Sequence, residues 1–540
     1  MLPLKGFRLG FDPLVQRVSN ALDPLSARAF RGRRVAAVDD ISADRGNVVL
    51  LPFRVTSGAS WFELVLARAL RQRGYRPLIG VGERAVNFAD GYLVSGERFR
   101  DRYLNLWRTE RFVRSFGEAP LHFDRLLGAA TLESLRAEAA AAPIEQIPTY
   151  SKYGVDIGRQ VMSSLCRYFL QSRVEVEAEP EIARGFLLTA LVSLEAARKI
   201  HETYAPKLLI SSHGIYASWG VFCDYFKMVG TPFVTWGFQY KSNAFLFSHN
   251  QSYHQDVISE TGAVWQGQAL DPVRRSELLE YITRKGSASH SDNINYYAGT
   301  KPLGAPLRQT LGIASEARVF GMFPNLGWDA QISFKPKFFA TMNDWLVETV
   351  AWFAERPELS LIIRAHPAEI RVGFETREKS ADILNAAFET LPPNVHLIAP
   401  GSSTSSYDVL EEVDGCLVFG SKFGLEAAVQ GKPVLTAGEA YFSGKGISFD
   451  PVSKADYFDL LGQMAQGLQP RPEMVEAALG FGYHYHVRRQ IILPLAEMRG
   501  PRFIDYLFDD ETALAPGGIP ELDHLIEACL TGRPFHALGS

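Results

Sequence analysis

Residues 362–369 read Ile-Ile-Arg-Ala-His-Pro-Ala-Glu, and residues 419–434 read Phe-Gly-Ser-Lys-Phe-Gly-Leu-Glu-Ala-Ala-Val-Gln-Gly-Lys-Pro-Val. Each stretch places polar residues on a turn that follows an apolar strand. In an open parallel α/β sheet that edge, outside the carboxyl ends of the strands, is where ligands bind. Two such turns from one domain can converge on one phosphate-bearing ligand.

Working outward, Arg318-Val-Phe-Gly-Met-Phe-Pro-Asn325 opens an alternating series. A long helix (337–354), strands at 359–364 and 395–399, a helix near 407–413, a strand at 415–419, a helix at 424–430 and a strand at 433–437 follow. Strand and helix in alternation predict a parallel sheet with βαβ crossovers. An earlier series starts with the strand Asn47–Phe53, a turn over Thr56–Ser60, a helix from Trp61 to Leu70 and the strand Arg76–Val81. It resumes with a strand at 207–212, a helix at 215–228 and a strand at 231–237. The residues between, about 90–205, read as mostly helical, and those after about 475 as largely helical. The stretch 284–304 has linker composition.

The expected architecture is therefore α/β, with two doubly wound Rossmann-like domains facing a cleft. Residues 1–45 are an N-terminal extension, and 46–300 a first α/β domain with a helical insertion at about 90–205. Residues 301–475 form a second α/β domain, and 476–540 a helical C-terminal segment.

Composition narrows the function classes. The chain has 540 residues, 46% hydrophobic, with a formal charge of −4. Near-neutral balance argues against nucleic acid as the main partner, which would favour a basic face. Cys166, Cys223, Cys416 and Cys529 follow neither a CxxC nor a disulfide-framework spacing, so buried thiols in a reducing cytoplasm are expected. The N-terminus lacks a signal-peptide core, and the longest apolar stretch, 186–194, is too short to span a bilayer. A cytoplasmic location is expected. Arg28, Arg31, Arg33 and Arg34 leave open peripheral contact with the inner membrane face.

No cluster has metal-ligand spacing, and His484-x-His486 stands in aromatic company, so neither a metal nor another cofactor is expected. His366 stands at a strand's carboxyl end, with Pro367 fixing the backbone behind it. An imidazole held there can hydrogen-bond a phosphate oxygen or protonate a leaving group. Arg364 and Glu369 flank it. The bend Gly420-Ser421-Lys422-Phe423-Gly424 offers backbone N–H groups, a hydroxyl and a cation to an anion. Glu426, one turn further, can accept from ribose hydroxyls. Ser402 and Ser403 belong to a hydroxyl-rich loop that is equally an ordinary helix start. Tyr441 and Lys445 sit on a glycine-rich loop able to close over a ligand, and Asn325 lies where the first strand of the second series ends. In the first half Gly58, Ser60 and His213 occupy equivalent places, with His213 either an acceptor-side base or a structural residue.

These patterns resemble the capsule polysaccharide biosynthesis proteins, a group including bacterial Kdo transferases of capsule export. The matching residues are Phe323-Pro-Asn-Leu-Gly-Trp-Asp-Ala330, Asp344–Leu346, Arg364–Glu369, Tyr407-Asp408, Gly420-Ser421, Gly424–Ala427, Gly431–Val434 and Gly438–Gly446. The resemblance implies a GT-B, metal-independent glycosyltransferase, the C-terminal domain holding a nucleotide-sugar donor and the N-terminal one a glycan or glycolipid acceptor. His366 and Ser421 would meet phosphate, and Glu426 would lie near the ribose. Lys422 stands where the family pattern carries a small hydroxyl residue. A CMP-activated acidic sugar is preferred over a UDP sugar. Alternatives on the same architecture are a sugar-nucleotide epimerase and a polyol-phosphate transferase. From another class comes a non-catalytic partner in a polysaccharide assembly complex.

Overall fold

The computed structural model describes residues 44–53, 60–82, 84–86, 88–89, 92–93, 109–266, 270–286, 292, 305–330, 332–334, 336–371, 375–498 and 504–539. The arginine cluster at 28–34 and Gly58 lie outside these residues.

The first sheet is built from β1 (Asn47–Phe53), β2 (Arg76–Val81), β3 (Pro120–His122), β4 (Leu208–Ser212), β5 (Phe233–Phe238) and β6 (Ala244–His249). Its order across the parallel part is β3-β2-β1-β4-β5, with β6 added antiparallel beside β5. The strands from β1 to β5 are near-continuous apolar runs because helices cover both faces. On one face lie α1 (Ser60–Arg71) and part of the C-terminal segment. On the other lie α2 (Gly158–Phe169) and α3 (Pro180–Tyr204).

The second sheet comprises β7 (Arg318–Phe323), β8 (Leu359–Arg364), β9 (Val395–Ile398), β10 (Gly415–Val418) and β11 (Val434–Thr436), in the order β9-β8-β7-β10-β11. All its neighbours are parallel. Among its helices are α4 (Pro272–Lys285), α5 (Met342–Ala354), α6 (Ser406–Glu412) and α7 (Phe423–Val429). The two doubly wound sheets thus repeat one strand order and face each other across a cleft, the GT-B arrangement that the resemblance implies. In each, the order reverses beside the central strand, and the loops leaving that point flank the crevice.

Contacts between the two halves hold the cleft. Lys445 Nζ donates to the carbonyls of Ile258 (2.8 Å) and Glu260 (2.6 Å). Arg167 on α2 pairs with Asp329 at 3.2 Å, and Ser172 donates through both its N–H and its hydroxyl to Glu378 at 2.8 Å.

Two expectations change in detail. The C-terminal stretch carries the helices α8 (Pro472–Tyr483) and α9 (Pro520–Thr531), but between them β12 (Ile491–Ile492) pairs with β6 and adds a further strand to the first sheet. A short antiparallel pair, 496–498 with 504–506, follows. The chain therefore crosses back, and Leu493, Leu495 and Leu525 complete the core beneath α1. The insertion is helical in bulk yet contains β3, because Pro120–His122 finds an open parallel edge beside β2.

All four cysteines are buried and unbridged. Among the described residues no helix is long and apolar enough to cross a membrane.

Candidate functional site

The carboxyl ends of β7, β8 and β10 meet in a pocket with about 670 Å³ of atom-free space, open to solvent. His366, Ser421, Lys422 and Glu426 all line it. So do Phe323 and Pro324 from the end of β7, and Ser406 and Tyr407 from the start of α6. The two polar turns picked out in the sequence therefore do converge. Tyr240 and Lys285 complete the wall from the preceding half of the chain.

His366 caps a short turn of helix, its Nδ1 accepting the Ala368 N–H at 3.1 Å. Pro367 opens that turn, where its missing N–H is no loss. Burial, with the Arg364 guanidinium adding to it, pulls the imidazole down from 6.5 to about 4. The ring is thus neutral at neutral pH, and with Nδ1 engaged as acceptor its proton sits on Nε2. A neutral imidazole of fixed tautomer donates a hydrogen bond without carrying charge.

The bend after β10 depends on Gly420, whose φ of +69° lies in the left-handed region. A Cβ there would also meet the Glu439 carbonyl oxygen at 3.0 Å. Ser421 Oγ accepts from the Phe423 N–H at 3.3 Å, and the N–H groups of Gly424 and Leu425 turn back to the carbonyls of Ser421 and Lys422. Fewer amides are therefore presented to a ligand than the sequence suggests; Gly424 instead packs against Phe442 and Val418.

Glu426 is 2% exposed. It pairs with Lys285 Nζ, and the Tyr407 hydroxyl donates to its other oxygen. An ionised carboxylate has about four lone-pair sites, so this leaves room for a ligand hydroxyl. Lys422 Nζ stands 3.1 Å from the centre of the Tyr240 ring. Burial draws this ammonium down to about 7, against the pull of Glu426.

Most other candidates are engaged in the framework around the pocket. Arg364 lines the pocket, but its guanidinium mainly donates to the carbonyls of Thr404, Ala365 and Ala399, which ties the 399–404 loop to β8. Glu369 is buried against the Ser380 hydroxyl and N–H, an internal brace and not a wall of the pocket. Ser402 accepts from the Thr404 N–H and Ser403 is exposed, while Ser405 and Asp408 form the capping box of α6. That loop is a helix start, and only its last serine, Ser406, reaches the pocket. Asn325 donates its N–H to Met342 Sδ. Lys445 serves the interdomain carbonyls, and Tyr441 pairs through its hydroxyl with His254 Nδ1 at 2.6 Å.

On the facing wall Ser60 opens α1 and is buried. His213 leaves β4 at a φ of +55°, stacks on Trp219 at 5.4 Å, and has Nδ1 2.6 Å from Ser212 Oγ. Burial, then Arg167, holds its pKa at about 3, so as placed it is a weak base. Tyr240 and Lys285 escaped sequence reading because a hairpin turn and a helix end carry no motif. Among the described residues no three His, Cys, Asp or Glu side chains cluster as a metal would require.

Residues 294–460 match the family model described as capsule polysaccharide biosynthesis protein. No curated protein matches the chain. Similar solved structures include the Thermosulfurimonas dismutans KpsC beta Kdo 2,4 transferase, at 11% identity, covering 57% of this chain and 87% of that one with a TM-score of 0.35. The beta Kdo 2,7 transferase of the same organism's KpsC has 13% identity, 62% and 90% coverage and a TM-score of 0.32. An S. aureus MnaA–UDP co-structure has 11% identity, 81% and 94% coverage and a TM-score of 0.26. The matched residues, 294–460, hold both His366 and the Gly420–Gly424 bend, so the part of the chain that is similar to capsule polysaccharide biosynthesis proteins is the part that builds this pocket.

Proposed function

We propose that the chain is a glycosyltransferase of bacterial capsule or surface polysaccharide biosynthesis. It takes a sugar from a nucleotide donor held at the carboxyl edge of the second sheet and passes it to a hydroxyl of a glycan or glycolipid. The observation that carries this reading is the convergence of His366, Ser421, Lys422 and Glu426 on one pocket in the cleft. In the reaction the bond from the anomeric carbon to the phosphate oxygen breaks, and its electron pair stays on that oxygen. The acceptor oxygen bonds the same carbon and gives up its proton to a base.

The pocket supplies what the departing phosphate needs. The Nε2–H of His366, the Ser421 hydroxyl and the Lys422 ammonium are fixed donors aimed at growing negative charge, which is where preorganised groups lower a barrier most. One imidazole N–H, one hydroxyl and one ammonium suit a single phosphate, in keeping with a CMP-activated acidic sugar. With that charge met by side chains, the transfer is read as metal-independent. Glu426, held by Lys285 and Tyr407, would take a ribose hydroxyl. A cytoplasmic site of action, peripheral to the inner membrane, fits an acceptor attached to lipid.

A thermal-shift series with CMP, UDP, GDP and TDP tests the reading. A nucleotide at a hundredfold excess over its Kd stabilises the folded chain by about 2.7 kcal/mol. The expected result is a rise with CMP that chelation of divalent cations leaves unchanged and that His366→Ala removes. No rise with any nucleotide would refute the assignment.

A further inference from the structure

The closest cation–ring contact at the pocket joins the two halves of the molecule. Tyr240 lies in the turn between β5 and β6, while Lys422 lies on the bend between β10 and α7. The ammonium of Lys422 sits 3.1 Å from the centre of the Tyr240 ring, well inside the range of a cation–π contact. Lys285 Nζ is 5.1 Å from the same centre, but it is ion-paired with Glu426. Among the described residues Lys422 makes no ion pair. One ammonium on this ring is thus neutralised by a carboxylate, and the other is held by the ring at the pocket wall.

We propose that Tyr240 is a positioning residue that holds Lys422 in the cleft as its available cation, and that Lys422 so held makes the site select nucleotides over nucleosides. The inference rests on the donor-site reading and names a specificity determinant within it. A lysine held by a π-face has its geometry set without an ion pair to a carboxylate, so an arriving phosphate meets a nitrogen already in place and completes its protonation. An ion-paired lysine would first have to exchange one anion for another.

The groups around Lys422 allow a clean pH readout. Glu426 on α7, Lys285 at the end of α4, Tyr407 on α6, Ser421 and Phe423 on the bend, Arg364 on β8, and His366 after it share the pocket with Tyr240. His486, from the segment after α8, also senses this charge, and burial keeps it neutral, as it does His366. Lys241 is turned to the Tyr281 ring, 4.4 Å away. With its pKa drawn to about 7, Lys422 exists partly as the free amine at neutral pH, and an anion in the pocket draws a proton onto it. A phosphate monoester, with a second pKa of about 6, is already fully ionised above pH 7.

The experiment is calorimetric titration of the intact chain with CMP and with cytidine between pH 7 and 9. CMP affinity is expected to fall by up to about tenfold per pH unit, with proton uptake on binding, while cytidine affinity stays flat. Lys422→Arg, whose guanidinium does not titrate in this range, should bind CMP without the pH dependence. Lys422→Met should lose CMP affinity by roughly ten- to hundredfold and leave cytidine unchanged. Tyr240→Phe should retain the wild-type preference. Tyr240→Leu should weaken CMP binding, and do so no further when Lys422 is already Met, because the two act as one unit. Flat CMP binding in the wild type, or an equal loss of CMP and cytidine in Tyr240→Leu, overturns the inference while the donor reading stands. Failure of the intact chain to bind any nucleotide overturns the donor reading, and the inference with it.

Discussion

Two sheets of the same strand order face each other here, yet their carboxyl edges carry opposite chemistry. At the end of β8, His366 is fixed as a neutral hydrogen-bond donor beside Lys422, Lys285 and Arg364. At the end of β4, His213 is fixed just as firmly but among rings, stacked on Trp219 with Tyr253 5.8 Å away. Beyond Tyr253 stands His254, itself pulled to about 3 by burial, then by His213 and Arg167. One edge gathers cations around a neutral donor, and the other stacks neutral imidazoles among aromatic rings, with the Arg167 guanidinium nearby. Strand order supplies the place for a ligand; the residues on the turns decide its charge.

The largest expected effect tests whether the charge on the second wall is integral to the fold. Lys285→Met removes the ion-pair partner of the buried Glu426 carboxylate and leaves it the Tyr407 hydrogen bond and the more distant pull of Lys422. Removing one partner of a buried ion pair costs about 3–5 kcal/mol. Denaturant unfolding should show that loss, and the double change Lys285→Met with Glu426→Gln should recover much of it. A loss under about 1 kcal/mol in the single variant would mean that the pair is a solvated ornament.

Next in size is the imidazole itself. If His366 acts by donating one hydrogen bond to the departing phosphate, His366→Ala should slow transfer by roughly 10²–10³-fold, equivalent to about 2.7–4 kcal/mol. His366→Gln, which keeps an N–H donor, should retain part of that rate. Because the ring stays neutral down to about pH 4, no activity limb between pH 5 and 8 should vanish with His366→Gln. Loss of such a limb would make the residue a proton donor instead.

How much of this wall could be read in advance follows from how each residue is specified. The turns after β8 and β10 were legible because an apolar run, a proline or glycine, and clustered polar residues coincide within a few positions. Tyr240 was not, since a tyrosine in a hairpin turn has no local pattern and reaches the pocket only through the packing of the two halves. Lys285 reads as the last basic residue of a helix, which dipole considerations alone would explain. β12 is two residues of a short apolar run ended by Pro494, too brief to show a period of two. It becomes a strand because β6 leaves an edge unpaired. Glu369 misled for a different reason: a charge beside a candidate histidine looks functional, but burial made it serve the Ser380 hydroxyl and N–H, whereas Arg364 both lines the pocket and ties its guanidinium to backbone carbonyls.

The histidines of the two walls offer a smaller but shared signature. Burial lowers His213 and His254 to about 3 and His366 to about 4, against an ordinary 6.5 in the unfolded chain. Between those values the unfolded chain binds protons that the folded one refuses. Their contribution is therefore complete above pH 6.5 and is lost as the pH falls toward about 4 for His366 and about 3 for His213 and His254. Each should steepen the acid loss of stability by up to about 1.4 kcal/mol per pH unit. His213→Asn, which tolerates the left-handed backbone, should flatten that slope by one proton while leaving the neutral-pH fold close to wild type. An unchanged slope would show that the first wall opens to solvent before it charges.

The least effect is expected at the contacts that hold the walls together outside the pocket. The Asp329 side chain is 53% exposed and that of Arg167 25%, so solvent screens their ion pair and its worth is about 0.2–1 kcal/mol. Arg167 also donates to the Tyr216 hydroxyl at 3.3 Å and lies over the Tyr216 and Trp328 rings at 5.3 and 5.8 Å. Asp329→Asn should therefore leave the thermal midpoint nearly unchanged, because the guanidinium keeps its ring contacts with both halves. Arg167→Ala removes those contacts together and should cost more than the aspartate change. Equal effects of the two would locate the latch in the ion pair and leave the rings as mere packing. The walls would then be joined by charge at their rim as well as furnished with it at the second sheet's edge.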